Sequence, residues 1–287
     1  MIRSALLALV LVQAEGVTPK YGAEKSAKDK VYAEMKLGIK IEGSEQMVNF
    51  VRTMHPFLSI DKLVLRAEGT HQVLGGGKHK VEYEEARIEG IYDDDPIEVD
   101  FQRGLPPADL ASDKTRQMFW YLAAAGRNFT LTPAGEYRSD DPNQDQNGEA
   151  MDLVALAIVR MPDRAVKEGD SWEKEWQGAR AEKNKNGKFR YKQKIKVEKV
   201  ETRDGKTVAT LVGELTGKVE GDRDPSAEEA WTKCEGKTKT VLEIETGRIL
   251  EAEGAGKVTG YFRNTAENGQ KQDLTLTFSS EGKLRVK

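Results

Sequence analysis

The chain has 287 residues, with 45 Lys or Arg against 48 Asp or Glu and a formal net charge of −3 at pH 7. This length allows one large or two ordinary domains, and the near-neutral charge argues against a dedicated nucleic-acid binder. A single cysteine, Cys234, rules out an intramolecular disulfide framework and a cysteine-cluster metal site.

Residues 1–14 have the pattern of an export signal. Arg3 supplies a short cationic start, an apolar run follows from Ala5 to Val12, and small side chains at Val12 and Ala14 favour cleavage after Ala14. The run is too short to span a bilayer, and no nearby cysteine supports a lipoprotein anchor. An exported chain without disulfides indicates a bacterial periplasm or exterior.

The first half is predicted to consist mainly of strands. Gly16 to Asp29 is polar and predicts a mobile leader, whereas 31–41, 62–74 and 78–92 alternate apolar and polar residues, as amphipathic strands do. Gly75-Gly76-Gly77 predicts a hairpin turn between the last two. Segment 44–54 is ambiguous, because its apolar spacing fits a helix although flanking strands could capture it.

One helix is predicted near 107–125. Pro106-Pro107 precedes it, and Gly126 stands where a C-cap glycine is expected. Its second half is apolar nearly all round, which favours burial on more than one side. A sheet that curls around this helix is the arrangement we expect.

The second half predicts strands at 189–197, 207–215, 237–244, 248–253, 257–262 and 273–278. Turn signals separate them, and these include Asp204-Gly205, Thr246-Gly247 and Glu281-Gly282. Such spacing is typical of an antiparallel meander. The predicted fold class is mainly β, a β-rich α+β fold with two antiparallel, strongly curved sheet halves and one buried helix near 107–125.

The domain prediction follows from the polar stretch in the middle of the chain. We expect a signal peptide at 1–14, a β-rich half with the helix at 15–140, a polar linker at 141–149 and an antiparallel half at 150–287. Turn motifs at Gly77 and Gly187, and at Gly135 and Gly247, recur at offsets of about 110 residues, which suggests an internal duplication.

Two segments carry a family resemblance. Residues 128–137 follow the helix, and 160–172 contain Val166-Lys167-Glu168-Gly169-Asp170-Ser171-Trp172. Together they resemble an uncharacterised family of exported bacterial β-rich proteins with a Val-x-x-Gly-Asp-x-Trp segment, although Ala165 stands where that family has a proline. The resemblance implies architecture and location and brings no established activity.

Catalytic and metal-binding motifs are not recognised, so we predict a protein that is not an enzyme and carries no cofactor or metal. The acidic run 141–148 fails as a calcium loop, because Val154 stands where a bidentate Glu is needed. His71 and His79 could meet across a hairpin, but two ligands do not make a metal site. Asp170 is interpreted as a turn cap, Trp172 as a plug at the end of a sheet, and Asp93-Asp94-Asp95 as a solvated turn.

Three function hypotheses remain open. The first is a binding or carrier module for a hydrophobic molecule or lipid, with its ligand nearest Met118, Phe119, Trp120 and Leu122. The second is a structural or interaction protein that works through a charged surface, such as an anionic lipid or acidic polymer contacting Arg190, Lys192, Lys194 and Lys196. The third is a secreted hydrolase with dispersed carboxylates. An apolar cavity would favour the first hypothesis, a conspicuous charged face the second, and a cleft of converging carboxylates the third.

Overall fold

A computed structural model provides the three-dimensional structure of the protein. It describes residues 16–22, 24–26, 28–54, 56–105, 113, 116–117, 120, 127–139, 158–177, 188–220, 229–265, 269 and 271–287. The predicted signal peptide and the predicted linker lie outside these residues.

The described residues form twelve strands, one α-helix and one 3-10 helix. The α-helix α1 spans Glu45–Met54, and the 3-10 helix spans Pro56–Ser59. The strands are β1 (Asp29–Gly43), β2 (Ile60–Gly75), β3 (Lys78–Tyr92), β4 (Asp95–Gln102), β5 (Arg127–Leu131), β6 (Tyr137–Ser139), β7 (Ser171–Gln177), β8 (Lys188–Arg203), β9 (Lys206–Glu220), β10 (Glu229–Glu243), β11 (Ile249–Thr265) and β12 (Lys271–Val286).

All twelve strands belong to one antiparallel sheet, which confirms the predicted β-rich class but replaces the two predicted sheet halves by a single sheet. Its order is β6-β5-β3-β2-β1-β12-β11-β10-β9-β8-β7, and β4 pairs with β3 beside this path. The ladder between β1 and β12 runs from Val31 opposite Val286 to Gly43 opposite Leu274 and joins the two predicted halves. The sheet is open, with β6 and β7 at its two ends.

Alternation along the strands divides the sheet into an apolar face and a charged face. On β8, Tyr191, Gln193, Ile195 and Val197 are buried, while the residues between them carry charge. The largest buried cluster takes side chains from both halves, including Val31, Phe129 and Leu131 from the first half and Ile195, Leu211 and Leu242 from the second. The two halves therefore share this part of the core.

Several strands are longer than the sequence pattern predicted. The predicted turn at Glu281-Gly282 is wrong, because both residues lie inside β12 and pair with β1 and β11. The predicted strands 248–253 and 257–262 form the single strand β11, and β10 begins well before Lys237. Pairing on both sides holds these glycine-bearing segments extended, although glycine alone favours a break.

The predicted mobile leader is also wrong over the described part of 16–29. Val17 forms a β-bridge with Val166, and the Gly22 N–H donates to the Gly247 carbonyl over 2.8 Å. Tyr21 is buried, and its hydroxyl accepts a hydrogen bond of 2.9 Å from the Val159 N–H. Backbone hydrogen bonds and the buried Tyr21 side chain therefore anchor a segment whose overall composition is polar.

Segment 44–54, which the sequence left ambiguous, contains helix α1, and none of its side chains is buried.

Most of the predicted helix near 107–125 lies outside the described residues. Arg116, Gln117 and Trp120 within it have helical backbone. Over the part of the chain that the structure describes, no helix is long and apolar enough to cross a membrane.

Candidate functional site

The four basic residues predicted on β8 share the charged face of the sheet. Arg190, Lys194 and Lys196 are exposed and Lys192 is half-buried, while the residues between them are buried on the opposite face. The predicted alternation is therefore confirmed for these side chains. Whether this face contacts a partner stays a prediction.

Acidic residues of β7 balance part of this charge. Lys192 Nζ lies 2.6 Å from Glu173 Oε2 and 3.6 Å from Glu175 Oε1, and Lys194 Nζ lies 3.7 Å from Glu173 Oε1. The hydrogen bond to Glu173 raises the pKa of Lys192, and the same bond lowers the pKa of Glu173. These exposed pairs keep the β7 edge close to neutral.

Away from that edge, three cations lie side by side across three neighbouring strands. Arg190 on β8 is in register with Lys218 on β9, and Lys218 is in register with Lys233 on β10. Neighbouring strands are about 4.8 Å apart, and like charges directly opposite each other destabilise a sheet. We call this arrangement the cation row, and an anion bound among these side chains would reduce their mutual repulsion.

The cation row borders a groove of about 630 Å³ on the charged face. The next register row adds Lys192, Thr216, Glu235 and Lys257. Thr259 lies opposite Lys233, so two threonine hydroxyls, those of Thr216 and Thr259, stand among the lysines. Basic side chains outnumber the two acidic ones at this groove, which we call the basic groove. Its full lining is Glu175, Arg190, Tyr191, Lys192, Thr216, Gly217, Lys218, Trp231, Lys233, Cys234, Glu235, Lys257 and Thr259.

Trp231 lines the basic groove, stacks on Tyr261 and contacts Lys233. The rings of Trp231 and Tyr261 stack with centroids 5.5 Å apart, and Lys233 Nζ lies 4.8 Å from the Trp231 centroid. The Arg263 guanidinium lies over Tyr261 and binds Asp273 over 2.7 Å. Attraction to the Trp231 ring face favours a position of the Lys233 ammonium beside the groove.

Cys234 lies at the groove, but it belongs to the apolar cluster of the opposite face with Tyr191 and Leu215. Burial raises the pKa of its thiol to about 12. The thiol is therefore protonated at neutral pH and lacks the thiolate character of a nucleophile.

The residues predicted for a hydrophobic ligand lie mostly outside the described part of the chain. Met118, Phe119 and Leu122 are not described. Trp120 is described, and its ring packs against Phe101 with centroids 5.2 Å apart, at the edge of a core cluster that includes Val99 and Ile88. The carrier site stays a prediction.

The structure confirms the interpretations of three local motifs. The Asp170 carboxylate accepts a hydrogen bond of 3.1 Å from the Lys167 N–H and so closes the turn. The Trp172 indole packs against the main core cluster and donates to the Arg160 carbonyl over 2.8 Å. Asp93 and Asp94 form an exposed turn with left-handed backbone.

His71 and His79 do meet on the β2–β3 hairpin. His71 Nε2 and His79 Nδ1 are 2.9 Å apart, and the rings stack with centroids 5.2 Å apart. Burial lowers the pKa of His79 to about 4 and also lowers the pKa of His71. Among the residues that the structure describes, no cluster of three or more potential ligands joins them.

Sequence reasoning missed Lys218, Trp231, Lys233 and Lys257. The alternation of Trp231, Lys233, Glu235, Lys237 and Lys239 was a usable signal for one face of β10. It could not show which strand lies beside β10 or in which register. Those two facts decide that Lys218 lies between Arg190 and Lys233.

Comparisons with known proteins identify no relative. No family model and no curated protein matches the chain. Among solved structures, an alignment covers 91% of this chain and 99% of a loop L8 deletion mutant of OmpT, an outer membrane protein of Vibrio cholerae, with 7% identity and a TM-score of 0.14. A similarity this weak carries no argument about fold or function.

Proposed function

We propose that this protein is a non-catalytic binding protein that takes an anionic ligand in the basic groove. The observation that carries the proposal is the cation row of Arg190, Lys218 and Lys233 beside a groove of about 630 Å³. Lys257 adds a further cation on one side, whereas Lys192 is already paired with Glu173 and Glu175. The proposal corresponds to the second hypothesis from the sequence, an interaction protein that works through a charged surface. The surface extends from β8 to β11 and is not confined to β8.

Electrostatics favours an anion over a neutral ligand at this place. Like charges on adjacent strands repel each other, and a phosphate, sulfate or carboxylate placed among them removes that repulsion. The gain exceeds that of a single surface ion pair, because several cations act on one group and the Trp231 ring already holds Lys233 in place.

Anionic oxygens of this kind occur in acidic polymers and in lipid headgroups, and both fit the chemistry of the groove. From the sequence pattern of residues 1–14 we propose that the protein is exported after cleavage near Ala14, which would bring it to envelope or extracellular polymers that carry such groups. The signal peptide itself stays a prediction, since residues 1–14 lie outside the described part of the chain.

Replacement of Lys218 by Thr tests the proposal through ligand affinity and the stability of the free protein. Binding of dextran sulfate at low ionic strength should weaken about tenfold, since a lost charge-assisted contact costs about 1.5 kcal/mol. The free energy of unfolding of the unliganded protein should change by no more than about 0.5 kcal/mol, because Lys218 is an exposed strand residue. Calorimetric titration and urea denaturation measure the two quantities.

Lys62→Thr is the matched control. Lys62 is an exposed strand lysine, and its registered neighbours Gly38 and Ile91 carry no charge. It makes the same change in net charge and in strand propensity without touching the cation row. Equal affinities of the Lys218→Thr variant, the Lys62→Thr variant and the unchanged protein would overturn the proposal.

Phosphatidylglycerol vesicles form a second arm of the same experiment. Lys218-dependent binding to the vesicles with no binding to the polymer would assign the groove to a lipid surface. The carrier hypothesis has its own test, which is native mass spectrometry of the purified protein before and after solvent extraction. A stoichiometric co-purifying lipid would support that hypothesis instead.

A further inference from the structure

We infer that the ligand of the basic groove is a linear acidic polysaccharide that lies along β10 and continues into a second groove. This inference rests on the proposed function and goes further, because it names the ligand class and its direction on the sheet. It starts from a second groove of about 380 Å³, which borders β10 at Lys237, Thr238 and Lys239.

The two grooves lie on the same face of the sheet. Lys233, Lys237 and Lys239 are separated by even numbers of residues on one regular stretch of β10, so their side chains point to one side. From Lys233 to Lys239 the strand rises by roughly 20 Å. A chain laid along β10 therefore meets both grooves without crossing the sheet.

Basic side chains also outnumber acidic ones at the second groove, four to three. Its carboxylates are already paired: Glu281 with Lys36 over 3.3 Å, Glu34 with Arg66 over 3.5 Å, and Glu253 with Lys283. Lys237 and Lys239 form no ion pair with any described residue. These two cations are available to an anionic chain.

Two carboxylates border this line of lysines. Glu235 stands between Lys233 and Lys237 on β10, and Glu214 on β9 is in register with Lys237. Lys257 lies opposite Glu235 on β11 and reduces its local effect. Because Glu235 opposes an anionic ligand, its removal should strengthen binding, a gain that damage to the fold would not produce.

The shape and wall of the grooves favour a polysaccharide over a membrane or a nucleic acid. A polymer chain can enter a groove, whereas a planar bilayer contacts the side chains that project from the protein surface. Nucleic acids bind such sites by stacking bases on aromatic faces. In this groove Tyr261 stacks on the Trp231 ring and the Lys233 ammonium lies over it, so the ring faces are already in contact with other side chains. Thr216 and Thr259 instead offer hydroxyl partners for a sugar ring between charged groups.

A length series of oligogalacturonates tests the inference by calorimetric titration at low ionic strength. Affinity should rise with chain length until the oligomer spans about 20 Å and then level off. The double variant Lys237→Thr/Lys239→Thr should lose this gain, about tenfold or more, while its affinity for the shortest oligomers stays unchanged. Glu235→Gln should bind long oligomers several-fold more tightly than the unchanged protein.

The outcomes separate the inference from the proposed function. If affinity does not depend on length and the double variant behaves like the unchanged protein, the inference fails while binding at the basic groove stands. If Lys218→Thr also has no effect, the proposed function fails as well. Tighter Lys237-dependent binding of inorganic polyphosphate, or of phosphatidylglycerol vesicles, would overturn the assignment to a polysaccharide.

Discussion

Tyr21 shows how one side chain fixes a segment whose composition predicts mobility. The residue is almost fully buried, and its hydroxyl accepts from the Val159 N–H over 2.9 Å. Burial raises the pKa of the Tyr21 hydroxyl to about 12, so it is neutral at physiological pH. The phenol thus joins the segment 16–22 to the loop that leads into β7.

Replacing Tyr21 by Phe leaves the ring in place and removes the acceptor of a buried backbone N–H. An unsatisfied buried donor costs roughly 1–3 kcal/mol, so the free energy of unfolding should fall by about that amount. Tyr32→Phe is the control, because the Tyr32 hydroxyl makes a long, half-buried bond of 3.3 Å to Glu34. Equal urea midpoints for the two variants would contradict the importance of the Tyr21 bond.

Positive-φ glycines act at the same scale and hold the segment around Tyr21. Gly135 and Gly247 both have left-handed backbone, at φ values of 86° and 70°. A Cβ on Gly247 would lie 2.3 Å from the Gly22 nitrogen, and one on Gly135 would lie 3.1 Å from the Tyr21 ring. The sequence predicted both turns. Only the tertiary structure shows that the two turns contact the same segment.

At the scale of elements, the β2–β3 hairpin contains a buried imidazole pair. His79 stacks on Phe129, with centroids 4.9 Å apart, and Phe129 packs against Tyr137. On the other side, burial lowers the pKa of His71. The nearby Asp29 carboxylate partly opposes this shift, and Arg248 adds to it. Arg248 and Asp29 bind each other over 2.8 Å. No described partner bonds His79 Nε2.

This pair predicts a loss of stability in mild acid. The pKa of His79 is lowered to about 4 in the folded chain and is about 6.5 in the unfolded chain. The unfolded state therefore binds a proton first, and stability falls as the pH drops from about 6.5 toward 4, by roughly 3 kcal/mol at most. Urea denaturation at several pH values measures this fall.

His79→Gln provides the control for the acid effect, because glutamine does not titrate. Carboxylates also titrate at the lower end of this range, so the informative quantity is the difference between the two pH profiles. The Gln variant should show a flatter profile between pH 6.5 and 4. Parallel profiles would exclude His79 as the source of the acid sensitivity.

The strands themselves illustrate what local pattern can predict. Alternation identified β1, β2, β3, β8 and β9 within a few residues, because each has a buried and a charged side. It failed at Glu281-Gly282 and across Gly254-Ala255-Gly256, where pairing with strands on both sides holds the backbone extended. A local turn signal carries no information about such partners.

At the scale of the whole molecule, the β1–β12 ladder makes the two predicted halves one sheet. Thirteen registered pairs join the first and last strands, and the main core cluster draws on both halves. A contiguous sheet with a shared core should unfold as one unit. We therefore expect a single transition in urea, with far-UV circular dichroism and tryptophan fluorescence superimposed.

The tryptophans report on both parts of the chain, since Trp120 belongs to the first half and Trp172, Trp176 and Trp231 to the second. A Trp120→Phe variant isolates the fluorescence of the second half. Two separated transitions, or a fluorescence midpoint that differs from the dichroism midpoint, would show that the halves unfold independently.

The sequence by itself determined the strand-rich class, the antiparallel meander, several turns and the basic side of β8, because these depend on neighbours along the chain. Only the tertiary structure decided that β1 pairs with β12, that the segment around Tyr21 is anchored, and that Arg190, Lys218 and Lys233 form a row. The physical reason is register. A strand's period of two residues fixes which side a residue takes, while its neighbours across the sheet depend on pairing between segments far apart in sequence.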